Sequence, residues 1–92
     1  MNGTNKTEGM TVEEVMSRDK KFRYMLLARL QSDCEYYLGF GNRSTGRLWA
    51  GDEARQIEWM NRLYASFPED EKPQWLTREE IAEYANRMLA AR

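Results

Sequence analysis

The segment KKFRYMLLARLQSDCEYYL, residues 20–38, decides the fold because its apolar side chains recur at helical spacing. One row with a spacing of four residues, together with two flanking apolar side chains, consists of Phe22, Leu26, Leu30, Cys34, Leu38, Leu27 and Tyr37. Such a stripe is typical of a helix that packs on one side. Asp19 stands where its carboxylate can accept the first backbone N–H groups. We therefore predict a helix over residues 20–38, ended by Gly39 or Gly41 in a left-handed conformation.

Two capping boxes predict where the first and last helices begin. Thr11 precedes Glu14 by three residues, and Thr77 precedes Glu80 by the same distance. A threonine hydroxyl and a glutamate carboxylate at this spacing satisfy two backbone N–H groups of the first helical turn. We predict a short helix after Thr11 and a longer one after Thr77.

A further helix is predicted between Asp52, which can cap it, and Pro68, which cannot continue it. Its expected apolar face consists of Ile57, Met60, Leu63, Tyr64 and Phe67. The face expected for the last helix consists of Ile81, Tyr84, Ala85, Met88 and Leu89. Alternation of the kind that strands show is absent over any useful length of the sequence.

The sequence therefore predicts an all-α fold. We expect a small bundle of three main helices plus a short N-terminal helix, with a loop rich in Gly, Arg and Trp between helices two and three. Residues 1–10 are polar and are expected to form a disordered tail, and residues 11–92 a single helical domain.

Composition argues against several classes of function. The chain has 92 residues, a net charge of −1, one cysteine and no histidine. It lacks the usual ligands of zinc and the side chain most often used for proton transfer near neutral pH. We therefore expect no enzyme activity, no metal and no cofactor. A lone cysteine forms no internal disulfide and favours a cytoplasmic location. No apolar run approaches the roughly 20 residues of a membrane span, so no membrane partner is expected.

The segment YYLGFGNRSTGRLWAGD, residues 36–52, raises the question of a phosphate loop or a contact surface. Gly41 and Gly46 have the first spacing of a Walker-type loop, but Arg47-Leu48 stands where that loop needs Lys-Ser or Lys-Thr. Two alternatives remain: the loop packs internally, or it contacts a partner protein. The candidate partner-binding residues are Tyr36, Phe40, Asn42, Arg43, Arg47 and Trp49.

Several aromatic and basic residues fall outside the apolar stripes. At or beyond the edges of the stripes lie Tyr24, Tyr36, Trp59 and Trp75. Aromatic and arginine side chains are common anchors of interfaces. A cluster that could contact nucleic acid consists of Arg18, Lys20, Lys21 and Arg23; a solvated face is the simpler interpretation of it. Cys34 lies in the core row and is expected to be a buried structural thiol.

Three motifs carry a resemblance to a known family: DCEYYLGFGNR at residues 33–43, LWAGD at 48–52 and PQWLTREEI at 73–81. Over residues 26–84 the chain resembles the large polyvalent protein-associated domains, most closely the eleventh type. The resemblance implies a small, mostly helical module with no assigned activity. Such modules occur in very large proteins of phages and conjugative elements, beside enzymatic and anti-defence domains.

The resemblance and the composition together lead to one expected function and two alternatives. We expect a non-enzymatic protein-binding module from a bacterial mobile genetic element, whose partner is another protein such as a bacterial defence nuclease. A freestanding copy of such a module is expected to act against host defence, as an anti-CRISPR inhibitor does. The alternatives are a nucleic-acid-binding accessory protein of a conjugative element and a self-assembling structural module, including a homodimer.

Overall fold

The computed structural model describes residues 11–90, apart from the side chain of Arg47. The helices are α1 (Val12–Met16), α2 (Lys20–Leu38), α3 (Glu53–Ala65) and α4 (Arg78–Leu89). Single 3₁₀ turns lie at Thr45–Arg47 and Glu69–Glu71, and residues 11–90 contain no strand. The predicted all-α fold is confirmed. The predicted disordered tail lies outside the described residues.

The helices begin where the capping signals predict. Both capping boxes form, in the pairs Thr11–Glu14 and Thr77–Glu80. In each pair the threonine hydroxyl accepts the backbone N–H of the glutamate at 3.1 Å, and the glutamate carboxylate accepts the backbone N–H of the threonine at 2.9 Å. Asp19 accepts the N–H of Phe22 at 2.9 Å, and Asp52 accepts the N–H of Arg55 at 2.8 Å. Each cap satisfies backbone groups that have no partner inside the helix, so local sequence fixes the four starts.

Helix α3 packs against α2 and α4, and these two helices also contact each other. The predicted face of α3 is fully buried, and the centre of the α2 stripe is buried at Leu26, Leu27, Leu30, Cys34 and Tyr37. Phe22 and Leu38, at the two ends of that stripe, are partly buried. On α4, Ile81 and Met88 are buried, whereas Leu89 is 52% exposed. The prediction that Leu89 belongs to the buried face is therefore wrong; Leu89 is the residue at which α4 ends.

Trp59 was expected at the edge of the α3 stripe but is buried. Its ring meets that of Trp49, from the loop, edge to face with centroids 5.1 Å apart. The loop thus supplies part of the core, and this extra layer covers a side of α3 that helix packing alone would leave in water.

The end of α2 also differs from the prediction. Gly39 caps the helix with φ −108°, and the left-handed positions are Asn42, with φ 53°, and Arg43, with φ 62°. Gly41 is required for a different reason. A Cβ at Gly41 would lie 2.7 Å from the carbonyl oxygen of Tyr36 and 2.7 Å from the nearest carbon of its ring. The chain therefore turns tightly back against the last turn of α2.

None of the helices in residues 11–90 combines the length and the apolar composition that crossing a bilayer requires.

Candidate functional site

The second half of the loop between α2 and α3 is fastened to both helices. The N–H of Trp49 donates to Asp33 Oδ2 at 3.0 Å, and the N–H of Ala50 donates to Gln56 Oε1 at 3.0 Å. Gln56 is fully buried, and its Nε2 donates to the carbonyl oxygen of Leu30 at 3.2 Å. A buried amide with both ends bonded links α2, the loop and α3. This half of the loop is a structural part of the domain.

Arg43, a candidate partner-binding residue, makes its described contacts inside the molecule. Its Nη2 donates to the carbonyl oxygens of Arg87 at 3.0 Å and Met88 at 3.2 Å. Its guanidinium carbon lies 5.4 Å from the centre of the Tyr37 ring. The last carbonyls of a helix lack intrahelical partners, so a cationic donor there completes their hydrogen bonding and interacts favourably with the helix dipole. Arg43 thus caps the end of α4.

The six candidate residues therefore separate into two groups. Arg43 and Trp49 make contacts within the fold, and the side chain of Arg47 is not among those that the structure describes. Tyr36, Phe40 and Asn42 are exposed. The side chain of Phe40 is 93% exposed, and that of Tyr36 is 38% exposed. The backbone of Gly41, next to Phe40, lies so close to Tyr36 that a Cβ at position 41 would clash with the ring.

The structure adds an exposed apolar side chain that the sequence analysis missed. Met25 is 63% exposed and lies on the face of α2 that points away from the bundle. Residues 25, 28, 32 and 36 follow at spacings of three and four, and all four are exposed. We call the exposed row of Met25, Ala28, Ser32 and Tyr36 on α2 the outer strip; Phe40 follows it beyond the end of the helix. The sequence carried a signal for this row: Met25, Ala28 and Tyr36 recur at helical spacing on the side of α2 opposite the core stripe.

Charged groups of both signs border the outer strip. Lys21 is exposed one turn before Met25, and Arg29 Nε lies 3.3 Å from Asp33 Oδ1. The Asp33 side chain is only 13% exposed. Glu35, at the edge toward α4, accepts a hydrogen bond from the Tyr84 hydroxyl at 2.9 Å. Two cations and two carboxylates therefore border the strip, and Lys21 forms no ion pair within residues 11–90.

The Tyr84 hydroxyl remains a donor at neutral pH. Burial raises the pKa of Tyr84 to about 12, and the bond to Glu35 adds to the rise by stabilising the protonated phenol. The Nε2 group of Gln31 donates to the same oxygen at 3.4 Å and acts in the opposite direction. Glu35 therefore has a fixed partner on α4, on the side away from the strip.

The predicted nucleic-acid cluster is largely engaged within the fold. Arg23 donates to the carbonyl oxygen and to the hydroxyl of Ser66, at 3.3 Å and 2.8 Å. Lys20 pairs with Glu71 at 3.3 Å. The guanidinium of Arg18 lies over the ring of Phe22 at 4.0 Å, and Lys21 is exposed. At this end of α2, three of the four basic residues therefore make contacts within the fold.

Cys34 is buried, as expected, and its thiol lies 3.6 Å from the Met60 sulfur. Burial raises the pKa of Cys34 to about 12, with smaller contributions from the charges of Asp33 and Glu35. A thiol with this pKa remains protonated near neutrality and is a poor nucleophile. Cys34 therefore acts as a core residue.

Two clefts lie between helices of the bundle. One, of about 260 Å³, lies between the start of α1 and α3 and is lined by Thr11, Val12, Arg55, Glu58, Trp59 and Arg62. The other, of about 240 Å³, lies between α2 and α4 beside Leu38 and Tyr84. Residues 11–90 contain no group of three or more His, Cys, Asp and Glu side chains placed to hold a metal ion.

The comparisons with known proteins bear on the family alone. Comparison with curated proteins and with solved structures finds no match for the chain. The family described as large polyvalent protein-associated domain 11 matches residues 20–88. This match begins at the first residue of α2 and ends within the last turn of α4, so it includes the three long helices and the loop that caps α4. The chain therefore belongs to the large polyvalent protein-associated domain 11 family.

Proposed function

We propose that this protein is a non-enzymatic protein-binding module of a bacterial mobile genetic element. The observation that carries the proposal is the position of Phe40, which is 93% exposed although the tight contact of Gly41 with Tyr36 fixes its backbone. Single exposed apolar residues are common on protein surfaces. Here, however, Phe40 stands four residues after Tyr36, which with Met25 belongs to an exposed row on α2. Rows of this kind, bordered by polar residues, are typical of protein contact sites.

The finer part of the proposal is that the module acts against host defence, by binding a defence nuclease such as a CRISPR effector. Family membership supports this part by association, because the domain accompanies polyvalent proteins. The buried, protonated Cys34 supports a binding role over catalysis by a thiol.

Affinity capture with matched variants tests the proposal. Phe40→Ser removes the exposed ring, and Leu89→Ser removes another exposed apolar side chain at the end of α4 as a control. We expect one bacterial protein to be captured by the natural chain and by Leu89→Ser but lost with Phe40→Ser. Circular dichroism checks that all three chains are folded. Equal recovery of the captured protein by the three folded chains would overturn the proposed surface.

The identity of the captured protein tests the anti-defence part. We expect a component of a restriction or CRISPR system whose interference with phage or plasmid entry is suppressed when the chain is co-expressed. A captured protein with no role in defence, or undiminished interference on co-expression, would overturn this part.

A further inference from the structure

We propose that the outer strip pairs with the outer strip of a second copy of this chain, with the two α2 helices antiparallel. The inference goes beyond the proposed partner protein, because it concerns association of the chain with itself. Three features of α2 carry it: the order of the charges along the helix, the sizes of the side chains in the strip, and one register that fits both.

The charges beside the strip are balanced in number but divided by position. Both cations, Lys21 and Arg29, precede both carboxylates, Asp33 and Glu35, along α2. A face with no net charge gives neither an acidic nor a basic partner an advantage. In an antiparallel pair, however, the cationic end of each helix lies beside the anionic end of the other, which favours association. A parallel pair in register would place like charges side by side.

The side chains of the strip fit the same arrangement. Met25 and Tyr36, toward the two ends, are bulky and are 63% and 38% exposed. Ala28 and Ser32 between them are small and exposed. Because the distance between packed helices depends on the side chains at the contact, small residues there allow a close approach. Each methionine would then pack on the tyrosine of the other copy, and a thioether against an aromatic ring is a favourable contact.

One register joins these contacts. When Ala28 of each copy lies opposite Ser32 of the other, the two-fold axis passes at the level of residue 30, and residue 25 lies opposite residue 35. Met25 is then one residue, or about 1.5 Å along the helix axis, from the level of Tyr36 of the second copy. The same surface serves both copies, as a two-fold interface requires.

The same register brings opposite charges together. Arg29 lies opposite residue 31, about 3 Å along the axis from Asp33 of the second copy. Its own bond to Asp33 is an exposed i, i+4 pair, which contributes little to stability, so the guanidinium can also reach the second carboxylate. Lys21 lies opposite residue 39, about 6 Å along the axis from Glu35 of the second copy, within the span of the two long side chains. Lys21 forms no ion pair within residues 11–90 that would compete.

The pair is expected to be weak. Two helices that cross once bury less than the roughly 1,200–2,000 Å² of a standard protein–protein interface. We therefore expect a dissociation constant on the order of 100 µM. The chain should be mostly monomeric at about 10 µM and mostly dimeric at about 1 mM.

Sedimentation equilibrium at low ionic strength, over this range of concentration, measures the association directly. We expect the apparent mass to rise from that of one chain toward that of two. Ser32→Arg places two guanidinium groups at the crossing and should remain monomeric. Arg55→Glu reverses an exposed charge on α3, outside the strip, and should associate like the natural chain.

An exchange of charges tests the antiparallel register. Lys21→Glu alone and Glu35→Lys alone each place like charges at both ends of a pair, so each should raise the dissociation constant about fivefold or more. In an equimolar mixture of the two variants every facing pair again has opposite charges. The mixture should therefore associate more tightly than either variant by itself. Because Glu35→Lys also removes the acceptor of the Tyr84 hydroxyl, circular dichroism checks that each variant is folded.

Three results would overturn the proposal. They are a natural chain that stays monomeric at about 1 mM, a dimer that Ser32→Arg leaves intact, and a mixture that associates no more tightly than its two components. If the natural chain is monomeric and Phe40→Ser still abolishes capture from lysate, the pairing fails while the protein-binding function stands.

Discussion

Replacing Arg43 by alanine separates the structural use of the loop from a direct role in binding. The substitution removes the Nη2 donor that bonds the carbonyl oxygens of Arg87 and Met88. One charged donor shared between two carbonyls contributes about 1.5–3 kcal/mol to the free energy of unfolding. The guanidinium above Tyr37 contributes about 0.5–1 kcal/mol more. Both contributions lie at one end of α4, which has no other described cap there.

One term acts in the opposite direction. The Nε group of Arg43 is buried and has no hydrogen-bond partner, so removing it recovers about 1 kcal/mol. We therefore expect Arg43→Ala to lower the free energy of unfolding by about 1–3 kcal/mol. For a domain of this size, that loss corresponds to a decrease in Tm of about 4–24 °C. Urea unfolding followed by circular dichroism at 222 nm, with a thermal scan beside it, measures both.

Arg55→Ala is the matched control, because Arg55 is exposed on α3 and forms no ion pair within residues 11–90. It should change the free energy of unfolding by less than about 0.5 kcal/mol. Equal stability of Arg43→Ala and the natural chain would refute the capping role and return Arg43 to the list of candidate partner contacts. Charge reversal at Arg43 is a poor test of binding, because a carboxylate beside the α4 carbonyls would destabilise the fold itself.

Three further substitutions test other parts of the fold. Gly41→Ala should lower the free energy of unfolding in urea by about 1–3 kcal/mol, because the new Cβ would press on the backbone oxygen of Tyr36. An unchanged urea midpoint would contradict the close approach of Gly41 to Tyr36. Gln56→Leu should lower the free energy of unfolding by about 2–4 kcal/mol, because it leaves the N–H of Ala50 and one lone pair of the Leu30 carbonyl oxygen unsatisfied. A loss below about 1 kcal/mol would contradict the role of Gln56 in linking α2, the loop and α3. The pKa of Cys34 rises on folding to about 12, so the folded chain holds a proton that the unfolded thiol releases above its ordinary pKa of 9.0. Stability from this group is complete below pH 9 and is lost as pH rises toward 12. Thermal scans between pH 8 and 11 should show this decrease, and Cys34→Ala should reduce it; an equal slope in both chains would contradict it.

The helices could be predicted because their signals are local. The four caps are short-range hydrogen bonds, and the α2 and α3 stripes follow from 3.6-residue periodicity. The position of α2 at residues 20–38 follows from Asp19 at one end and the glycines at the other. Such features depend on neighbours in the sequence, so tertiary context changes them little.

The loop could not be predicted to the same extent, because its conformation depends on contacts distant in the sequence. Gly39 and Gly41 both offer left-handed angles, yet Asn42 and Arg43 adopt them. Arg43 adopts the left-handed conformation while its side chain donates hydrogen bonds to carbonyl oxygens at the end of α4, more than 40 residues away in the sequence. The burial of Trp49 against Trp59 is likewise a tertiary contact that periodicity cannot show.

The loop's two halves make opposite use of aromatic side chains, and this contrast supports a binding role for one of them. Trp49 is buried, whereas Phe40, nine residues earlier, leaves in water a side chain whose burial would contribute about 1.5–3 kcal/mol. Domains of this kind have only about 5–15 kcal/mol of stability. Bonds to Asp33 and Gln56 fix the Trp49 half, and the contact of Gly41 with Tyr36 fixes the Phe40 half. Phe40 is therefore exposed on an ordered backbone, where an apolar ring can add to a contact surface at little cost in conformational entropy.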